Sequence, residues 1–327
     1  MRTIGITMGD PSGVGPEIIC KALAALPAAE RAAALVIGDP DKLARANTLC
    51  DTGLAFGDAP GAVRVVAVAA PEADTIRDGE LSAGGGQAAY HTITRAVELA
   101  QAGDIAVIVT APLNKAAMHL AGHEYDGHTG LLQHLTGAPS SFMLLASERL
   151  STIHVSTHVS LSDAIARTRT QRIVDTIRAG DAHFKGLGMA RPRIAVAGLN
   201  PHCGEGGIFG REDIEQVAPA VEAARAEGLE VSGPLSADTV FYRAAQGEFD
   251  LVVAQYHDQG HIPTKLIGFH DTVNVSLGLP IQRCSVDHGT AFDIAWTGQA
   301  NHVNMLAAIA YARRMAAQDN AAARPAA

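Results

Sequence analysis

The sequence is poor in cysteine, in aromatic residues and in long runs of one kind of side chain. Four cysteines, at positions 20, 50, 203 and 284, are too few and too scattered for a disulfide scaffold, and they suit a reducing compartment. No apolar run approaches the roughly 20 residues that cross a bilayer. The net charge of -9 comes without a lysine or arginine cluster, which argues against nucleic acid or anionic membrane as the main partner.

What the chain does contain favours metabolite chemistry in a globular protein. At 327 residues, 47% hydrophobic and 18% charged, it is long enough for two domains, each with its own core. The first residues, Met1–Thr7, enter a strand pattern directly and show no apolar signal-peptide segment. We therefore expect a cytoplasmic protein.

Short β-branched runs alternate with longer alanine-rich segments, a pattern typical of a largely parallel sheet with helices on both faces. The predicted strands are Thr3–Thr7, Ala34–Ile37, Val63–Val68, Ile105–Val109, Phe142–Leu145, Ile153–Val155, Ile194–Ala197 and Leu251–Ala254. The predicted helices are Pro16–Ala25, Gln87–Ala100, Gly130–Leu135, Arg169–Leu187, Glu212–Ala226 and Asn301–Met315. These exceed the needs of one compact sheet, so we expect two α/β/α lobes with a cleft between them.

Histidines follow three of the predicted strands. The segment Tyr256–Lys265, with two imidazoles, a carboxylate and a lysine, comes just after a buried strand, and Ile153–His158 and Ile194–His202 repeat the arrangement. Open α/β sheets carry their chemistry at strand carboxyl ends, and imidazole is the commonest metal ligand. The three segments together suggest one shared metal site. With 14 histidines in the chain, structural or solvated imidazoles are the alternative.

A glycine-rich turn, Gly9–Glu17, lies between the first strand and the first helix. Such turns often bind phosphate through free backbone N–H groups. This turn lacks the spacing of a Rossmann fingerprint and the Lys-Ser/Thr of a P-loop, so a tight turn with Pro16 opening a helix is an equal reading.

Together with a second segment, Asp287–Asn301, that turn favours a functional interpretation. The pair resembles the Gly-Asp-Gly-Ile-Gly-Pro-Glu and His-Gly-Ser-Ala-Pro-Asp-Ile-Ala-Gly-x-Gly-x-Ala-Asn motifs of isocitrate and isopropylmalate dehydrogenases. In that superfamily the second motif forms the dinucleotide loop of a non-Rossmann fold. The resemblance implies an NAD(P) cofactor, bound here by Asp287, His288, Gly289 and Asp293.

Nearly the whole chain is similar to the 4-hydroxythreonine-4-phosphate dehydrogenase family. The matching residues are Gly127–Thr129, Thr157-His158, Leu199–His202, Gly204–Gly207, Gly233–Leu235, Ala237–Thr239, Tyr256–Gly260, Lys265, Val273-Asn274, Gly278–Pro280, Arg283 and Ser285–Ala291. So many ordered matches make the resemblance specific.

This resemblance implies one divalent metal ion (Zn, Mg, Mn or Co), held by His158, His202 and His257 with Asp238 close to it. It implies substrate contacts from His128, Thr129, Lys265, Asn274 and Arg283, and catalytic roles for His128, Asp238 and Lys265. The family also implies a homodimer whose active site is shared by both chains.

Simpler readings exist for several of these residues. Lys265 and Arg283, each taken singly, could be surface charges. His128-Thr129 could be an ordinary helix cap, and Asp238 could simply begin a helix. The proton-transferring base is not assigned by the sequence, where His128 and a metal-bound water are both open.

Two departures from the family pattern refine the expectation. Gly130 stands where the family commonly has glutamate, which removes a carboxylate from the helix start. His261, in a Gly-His-Ile-Pro stretch, is usually absent from the vitamin B6 biosynthetic members. That stretch looks like the paralogous branch acting on four-carbon phosphorylated sugar acids, with terephthalate-type dihydrodiol dehydrogenases carrying a similar one.

We therefore predict metal-dependent, NAD(P)-linked oxidation and decarboxylation of a small phosphorylated 3-hydroxy acid, 4-phospho-D-threonate or 4-phospho-D-erythronate. The alternatives are the 4-hydroxythreonine-4-phosphate reaction of pyridoxal phosphate synthesis, a terephthalate-type dihydrodiol reaction, and a non-catalytic metabolite-binding protein. Residues 1–127 with 283–327 should form a terminal lobe carrying the dinucleotide loop. Residues 128–282 should form a central lobe with the metal and substrate ligands.

Overall fold

The computed structural model describes residues 1–70 and 75–322, and the chain divides into two compact α/β units. Unit 1 consists of Met1–Ser141 with Leu279–Ala327, and unit 2 consists of Phe142–Gly278. All four cysteines are free. Within the described ranges, the helices are all too short or too polar to cross a membrane.

Unit 1 is built on a fully parallel sheet. Its strands are β1 (Ile4–Thr7), β2 (Ala34–Gly38), β3 (Arg64–Ala67), β4 (Val107–Thr110) and β11 (Gln282–Val286), and their order across the sheet is β3-β2-β1-β4-β11. Every residue of β1 and β4 is buried. That is the expected state of central parallel strands covered on both faces, and it explains their unbroken apolar runs.

Helices cover the sheet of unit 1. They are α1 (Gly15–Ala25), α2 (Ala28–Arg31), α3 (Pro40–Leu49), α4 (Ala83–Gln101), α5 (Lys115–Leu120), α6 (His128–Thr136) and α12 (Val303–Ala322). Local chemistry starts several of them: the Asp39 carboxylate accepts from the backbone N of Asp41, and the Ser82 hydroxyl accepts from the backbone N of Gly85.

Unit 2 carries a mixed sheet. Its strands are β5 (Phe142–Ala146), β6 (Ser151–His154), β7 (Ile194–Ala197), β8 (Val231–Leu235), β9 (Leu251–Ala254) and β10 (Val273–Leu277), in the order β10-β5-β6-β9-β7-β8. Strand β5 pairs antiparallel with both of its neighbours in this unit, while β6, β9, β7 and β8 run parallel. The carboxyl ends of these four parallel strands therefore lie at the same edge of the sheet.

The helices of unit 2 are α7 (Leu161–Arg167), α8 (Thr170–Gly186), α9 (Ala218–Ala226), α10 (Ala237–Ala245) and α11 (His257–Gly268). A π-helical turn, Asp213–Val217, precedes α9, so the predicted helix over residues 212–226 is present but irregular in its first turn. Phe241 and Val240 of α10 pack with Val252 of β9 in the core of this unit.

All eight predicted strands and all six predicted helices are found, with bounds shifted by a few residues. Three strands lacked a predictive pattern. Strand β8 contains the Gly233-Pro234 pair, which is typical of turns, and β10 and β11 carry Asn274 and Arg283 among apolar neighbours. Helix α11 was not predicted because Gly260 and Pro263 both disfavour a helix interior.

The borders between the units differ from the expected ones. In sequence, the chain passes from unit 1 to unit 2 between Ser141 and Phe142 and returns between Gly278 and Leu279, whereas the expected borders were 127/128 and 282/283. The first border is shifted because Leu131 and Leu132 of α6 pack in the hydrophobic core of unit 1. As a result His128 and Thr129 belong to the same unit as Arg283.

A close helix crossing in unit 1 makes Gly86 a sensitive position. A Cβ on Gly86 of α4 would lie 2.0 Å from the backbone oxygen of Ala117 in α5. Gly86→Ala should therefore lower the free energy of unfolding by at least about 2 kcal/mol, since backbone must move to accept it. The control is Gly186→Ala in α8, where a Cβ meets nothing within 4 Å. That change should raise stability by up to about 1 kcal/mol. Urea unfolding of both variants checks this, and equal stability of the two would contradict it.

Candidate functional site

The glycine-rich turn and the predicted dinucleotide loop lie against each other in unit 1. The backbone N of Val14 donates to the oxygen of Thr290 at 3.0 Å. A Cβ on Gly13 would come within 2.9 Å of Thr290, so a glycine is needed for this approach. The two segments follow β1 and β11, which flank β4 on either side, and so they reach the same edge of the sheet.

The predicted cofactor residues lie on the accessible side of this loop. His288, Gly289 and Asp293 are exposed, and a Cβ on Gly289 would meet nothing within 4 Å. The half-buried Asp287 is held by its backbone N, which donates to Oδ1 of Asn304 at 2.7 Å. The loop thus has a fixed start and an open outer surface that a ligand can reach.

His128 begins α6 and presents an unusual imidazole. Its Nε2 is buried and has no hydrogen-bond partner among residues 1–70 and 75–322. Burial, followed by the charges of Arg283 and Lys115, lowers the pKa of His128 well below its ordinary value. The ring is therefore neutral at pH 7. The helix cap is Gly127, so the alternative that His128-Thr129 serves as the cap does not describe this helix.

Arg283 is a buried cation and not a surface charge. It is 2% exposed, and its Nη2 donates to Oγ1 of Thr110 at 2.6 Å. Burial lowers the pKa of Arg283 to about 10, which leaves the guanidinium charged at pH 7. A charged arginine attracts anions and can pair with a carboxylate or phosphate through two N–H groups, so Arg283 has the chemistry to bind such a ligand.

In unit 2 the strand order places the predicted metal ligands at one sheet edge. His158 follows β6, His257 follows β9, and His202 follows β7, and these three strands are parallel neighbours in the order β6-β9-β7. Asp238 follows β8, next to β7, and stands in the first turn of α10. The reading that Asp238 begins a helix is therefore also correct.

The structure brings two of the three candidate ligands close together. The ring centroids of His158 and His257 are 5.6 Å apart. His158, His202 and Asp238 are exposed and His257 is half-buried, so all four side chains are accessible. Within one chain, however, the described residues contain no cluster of three histidine, cysteine, aspartate or glutamate side chains able to hold a metal ion.

His202 lies in a turn of left-handed backbone that sequence reasoning did not predict. Residues 202–206 all have positive φ, from 43° to 80°, including the non-glycine residues His202, Cys203 and Glu205. Such backbone is disfavoured for side-chain-bearing residues and persists only where its surroundings hold it. Buried Asp213 does so here, because its carboxylate accepts from the backbone N of Leu199 at 2.7 Å and of Asn200 at 3.0 Å.

His261 lies beneath His257. The two rings stack with centroids 3.6 Å apart and an interplanar angle of 13°, and His261 is only 8% exposed. Its Nδ1 lies 3.1 Å from Nε2 of His154 and 3.0 Å from the backbone oxygen of His257. His261 therefore supports a candidate ligand from below.

His154 is the second supporting histidine, and its partners define its tautomer. Its Nδ1 lies 3.1 Å from the backbone oxygen of Met143, so Nδ1 carries the proton and Nε2 accepts from His261. Burial lowers the pKa of His154 to about 4 and that of His261 to about 3. Both rings are neutral at pH 7, as this chain of hydrogen bonds requires.

The remaining predicted substrate residues lie on α11 and β10 of unit 2. Lys265 follows His257 and His261 at intervals of four residues, which puts all three on one face of α11. Lys265 and Asn274 are half-buried. The Oδ1 of Asn274 is buried and makes no hydrogen bond to any described residue, so it can accept one from a ligand.

The chain is similar to known proteins over nearly its whole length. The family model described as pyridoxal phosphate biosynthetic protein PdxA matches residues 30–312. The chain is 44% identical to the D-threonate 4-phosphate dehydrogenase of Salmonella typhimurium, covering 96% of this chain and 99% of the relative. It is 45% identical to the 4-hydroxythreonine-4-phosphate dehydrogenase of Beijerinckia indica, covering 95% and 94%.

Solved structures confirm the fold class. The structure of a 4-hydroxythreonine-4-phosphate dehydrogenase from Klebsiella pneumoniae matches with a TM-score of 0.87 at 47% identity, covering 96% of this chain and 98% of that one. A β-decarboxylating dehydrogenase from Thermococcus kodakarensis matches with a TM-score of 0.51 at 13% identity, which shows a shared fold alone.

The buried His154 should make stability depend on pH. Its pKa is lower in the folded chain, about 4, than the ordinary 6.5. The stability it confers is therefore complete above pH 6.5 and is lost as the pH falls toward 4, because the unfolded chain binds the proton first. By pH 5 the loss is on the order of 2 kcal/mol. His154→Gln removes this part, so its stability should fall less between pH 7.5 and 5.

Urea unfolding at the two pH values measures the difference, with the exposed His270→Gln as the matched control. The control should follow the wild type. Identical pH dependence of His154→Gln and the wild type would show that His154 is not held neutral.

Proposed function

The chain belongs to the PdxA family of dehydrogenases, and on that premise we propose that it catalyses NAD(P)-linked oxidation and decarboxylation of 4-phospho-D-threonate or 4-phospho-D-erythronate. The observation that carries the proposal is Arg283. A guanidinium that is 2% exposed and charged at pH 7 is suited to an anionic substrate. The name of the Salmonella relative supplies the substrate class.

The reaction needs two activations. The secondary alcohol, β to the carboxylate, loses a proton from its oxygen and a hydride from its carbon, and the resulting β-keto acid loses CO2 to give an enolate that then takes up a proton. NAD(P)+ supplies the hydride acceptor, and a divalent ion supplies Lewis acidity for both steps when bound. The protein's own residues hold the acid in one reactive orientation and remove the proton from its hydroxyl group.

Substrate binding falls to charged and polar side chains at the positions that match the family's substrate contacts. We assign anion contacts to Arg283 and Lys265, the first suited to bidentate pairing and the second to a point charge. Thr129 and Asn274 supply neutral polar contacts, and the buried Asn274 Oδ1 suits a substrate hydroxyl or amino group. These assignments follow the family positions.

His128 is our candidate for the proton acceptor. An imidazole must be neutral to take a proton from a hydroxyl, and burial together with Arg283 and Lys115 keeps this ring neutral at pH 7. Its buried Nε2, with no partner in the described part of the chain, is free for that proton. Asp238 and Lys265 remain further catalytic candidates.

We place the divalent metal at His158, His202 and His257, with Asp238 close to it. The donor types fit, because accessible neutral imidazoles are good ligands for Zn²⁺ and related ions, and two of the rings are 5.6 Å apart. One chain gathers no third ligand beside them among its described residues. A homodimer in which each chain contributes ligands to a shared site reconciles the donor set with this geometry.

The alternative substrate is 4-hydroxythreonine 4-phosphate. The Beijerinckia relative of that name is as similar to this chain as the Salmonella relative is. His261 favours the sugar acid, because its Gly-His-Ile-Pro stretch resembles the family branch that acts on four-carbon phosphorylated sugar acids. Since His261 is buried under His257, its influence would pass through the position of His257.

A direct assay decides between these substrates. Reduction of NAD+ and of NADP+ is followed by absorbance with Mn²⁺ or Zn²⁺, offering 4-phospho-D-threonate, 4-phospho-D-erythronate and 4-phosphohydroxy-L-threonine in parallel. We expect kcat/KM for one of the first two to exceed that of the third by at least about tenfold, which is ~1.4 kcal/mol.

The same assay tests the metal requirement. Chelation of the metal should abolish turnover, and added metal should restore it. Preference for the third would move the protein to vitamin B6 synthesis, and activity after thorough chelation would refute the metal site.

Subunit mixing tests the shared site. His202→Ala and His257→Ala should each be inactive, because each removes a metal ligand. After the two variants are mixed and their subunits exchanged, about a quarter of the wild-type activity should return, since half of the dimers are mixed and each has one intact site. This holds when His202 and His257 of one site come from different chains, and mixing His158→Ala with His257→Ala covers the division in which His202 and His257 share a chain. If all three came from one chain, no activity would return. Glu98→Ala, at an exposed position on α4, is the control that should stay active throughout.

A further inference from the structure

Glu17 of α1 is a buried carboxylate that no part of the proposed reaction uses. It is fully buried, at 0% exposure. Its two oxygens accept from backbone N–H groups of the dinucleotide loop, Oε2 from Trp296 at 2.7 Å and Oε1 from Gly298 at 2.6 Å. A buried carboxylate with two such bonds is well compensated, and it fixes the two amides that it contacts.

Lys21 extends the contact by one helical turn. Its Nζ donates to the backbone oxygens of Gly298 at 2.5 Å and Ala300 at 2.8 Å. Residues four apart share one face of a helix, so Glu17 and Lys21 together contact alternate N–H and C=O groups of the loop. The negative side chain binds donors and the positive one binds acceptors. These hydrogen bonds from Glu17 and Lys21 hold the backbone of residues 296–300 in its observed path.

That backbone path is unfavourable without such support. Trp296 has φ of 60°, in the left-handed region, and stands where the isocitrate dehydrogenase motif has glycine. Only glycine adopts this conformation freely. The Trp296 indole N–H donates to the backbone oxygen of Pro11 at 3.0 Å, and the guanidinium of Arg45 lies 4.2 Å from the ring centroid. The ring is therefore fixed between the glycine-rich turn and α3.

We infer that Glu17, assisted by Lys21, is a positioning residue for the dinucleotide. It holds the 296–300 half of the loop in its unfavourable path, so that the exposed half with His288, Gly289 and Asp293 is preformed before the cofactor arrives. This rests on the proposed function, in which that loop binds NAD(P). Preforming a loop increases affinity because binding no longer has to order it. Glu17 itself does not need to touch the cofactor.

The test separates cofactor binding from substrate binding. NAD+ and NADP+ affinities are measured by calorimetry on wild type, Glu17→Ala, Glu17→Gln and Lys21→Met, together with KM for the preferred phospho-acid. Trp296 is the only tryptophan in the chain, so its emission reports the loop directly in each variant without cofactor. Glu98→Ala, which removes an exposed carboxylate paired with Arg95, is the matched control.

Glu17→Ala leaves two buried N–H groups without their acceptors, so dinucleotide affinity should fall at least about tenfold. The KM for the phospho-acid should stay within about twofold, because a loop that binds only cofactor does not limit it. Trp296 emission should shift to longer wavelength as the ring becomes solvated. Glu17→Gln, which keeps the shape and one acceptor, should lie between the alanine variant and the wild type.

Wild-type affinity in folded Glu17→Ala would overturn the inference, as would a parallel rise in the phospho-acid KM, which would indicate general distortion. If the alanine variant does not fold, unchanged affinity in folded Glu17→Gln and Lys21→Met overturns it equally. A wild-type protein that binds cofactor but reduces it with none of the three acids contradicts the proposed function alone. A wild-type protein that binds neither NAD+ nor NADP+ contradicts both.

Discussion

The parallel alignment of strands is the constraint on which the rest of the molecule depends. Parallel strands end at the same edge, so residues distant in sequence meet there. In unit 2 this places His158, His257 and His202 after neighbouring strands, and in unit 1 it brings the turn after β1 against the loop after β11. In both units the segments that meet are far apart in the sequence.

Burial of charge is the second feature of both units. Arg283 and Glu17 are each nearly or fully buried, and an unpaired ion there would be costly. Glu17 accepts hydrogen bonds from the backbone N–H groups of Trp296 and Gly298, and Arg283 donates one to Oγ1 of Thr110. Each charge therefore ties together segments that are distant in the sequence.

The histidines of unit 2 divide into accessible and supporting members. His158, His202 and His257 reach solvent, while His154 and His261 are buried and linked by a hydrogen bond. Support from below restricts the His257 ring through stacking, and Asp213 restricts the turn that carries His202. Restricted side chains lose little freedom on binding a ligand.

The sequence by itself determined the fold class, the central strands and the family, because apolar periodicity and ordered motifs depend on local residues. It also singled out His158, His202 and His257, which are accessible in the structure, and the predicted dinucleotide loop. It did not show α11, whose proline and glycine oppose helix formation locally, nor the supporting roles of His154, Asp213 and Glu17. Those roles arise from contacts between residues far apart in the chain, such as Glu17 with Trp296, and long-range packing alone decides which buried polar groups find partners.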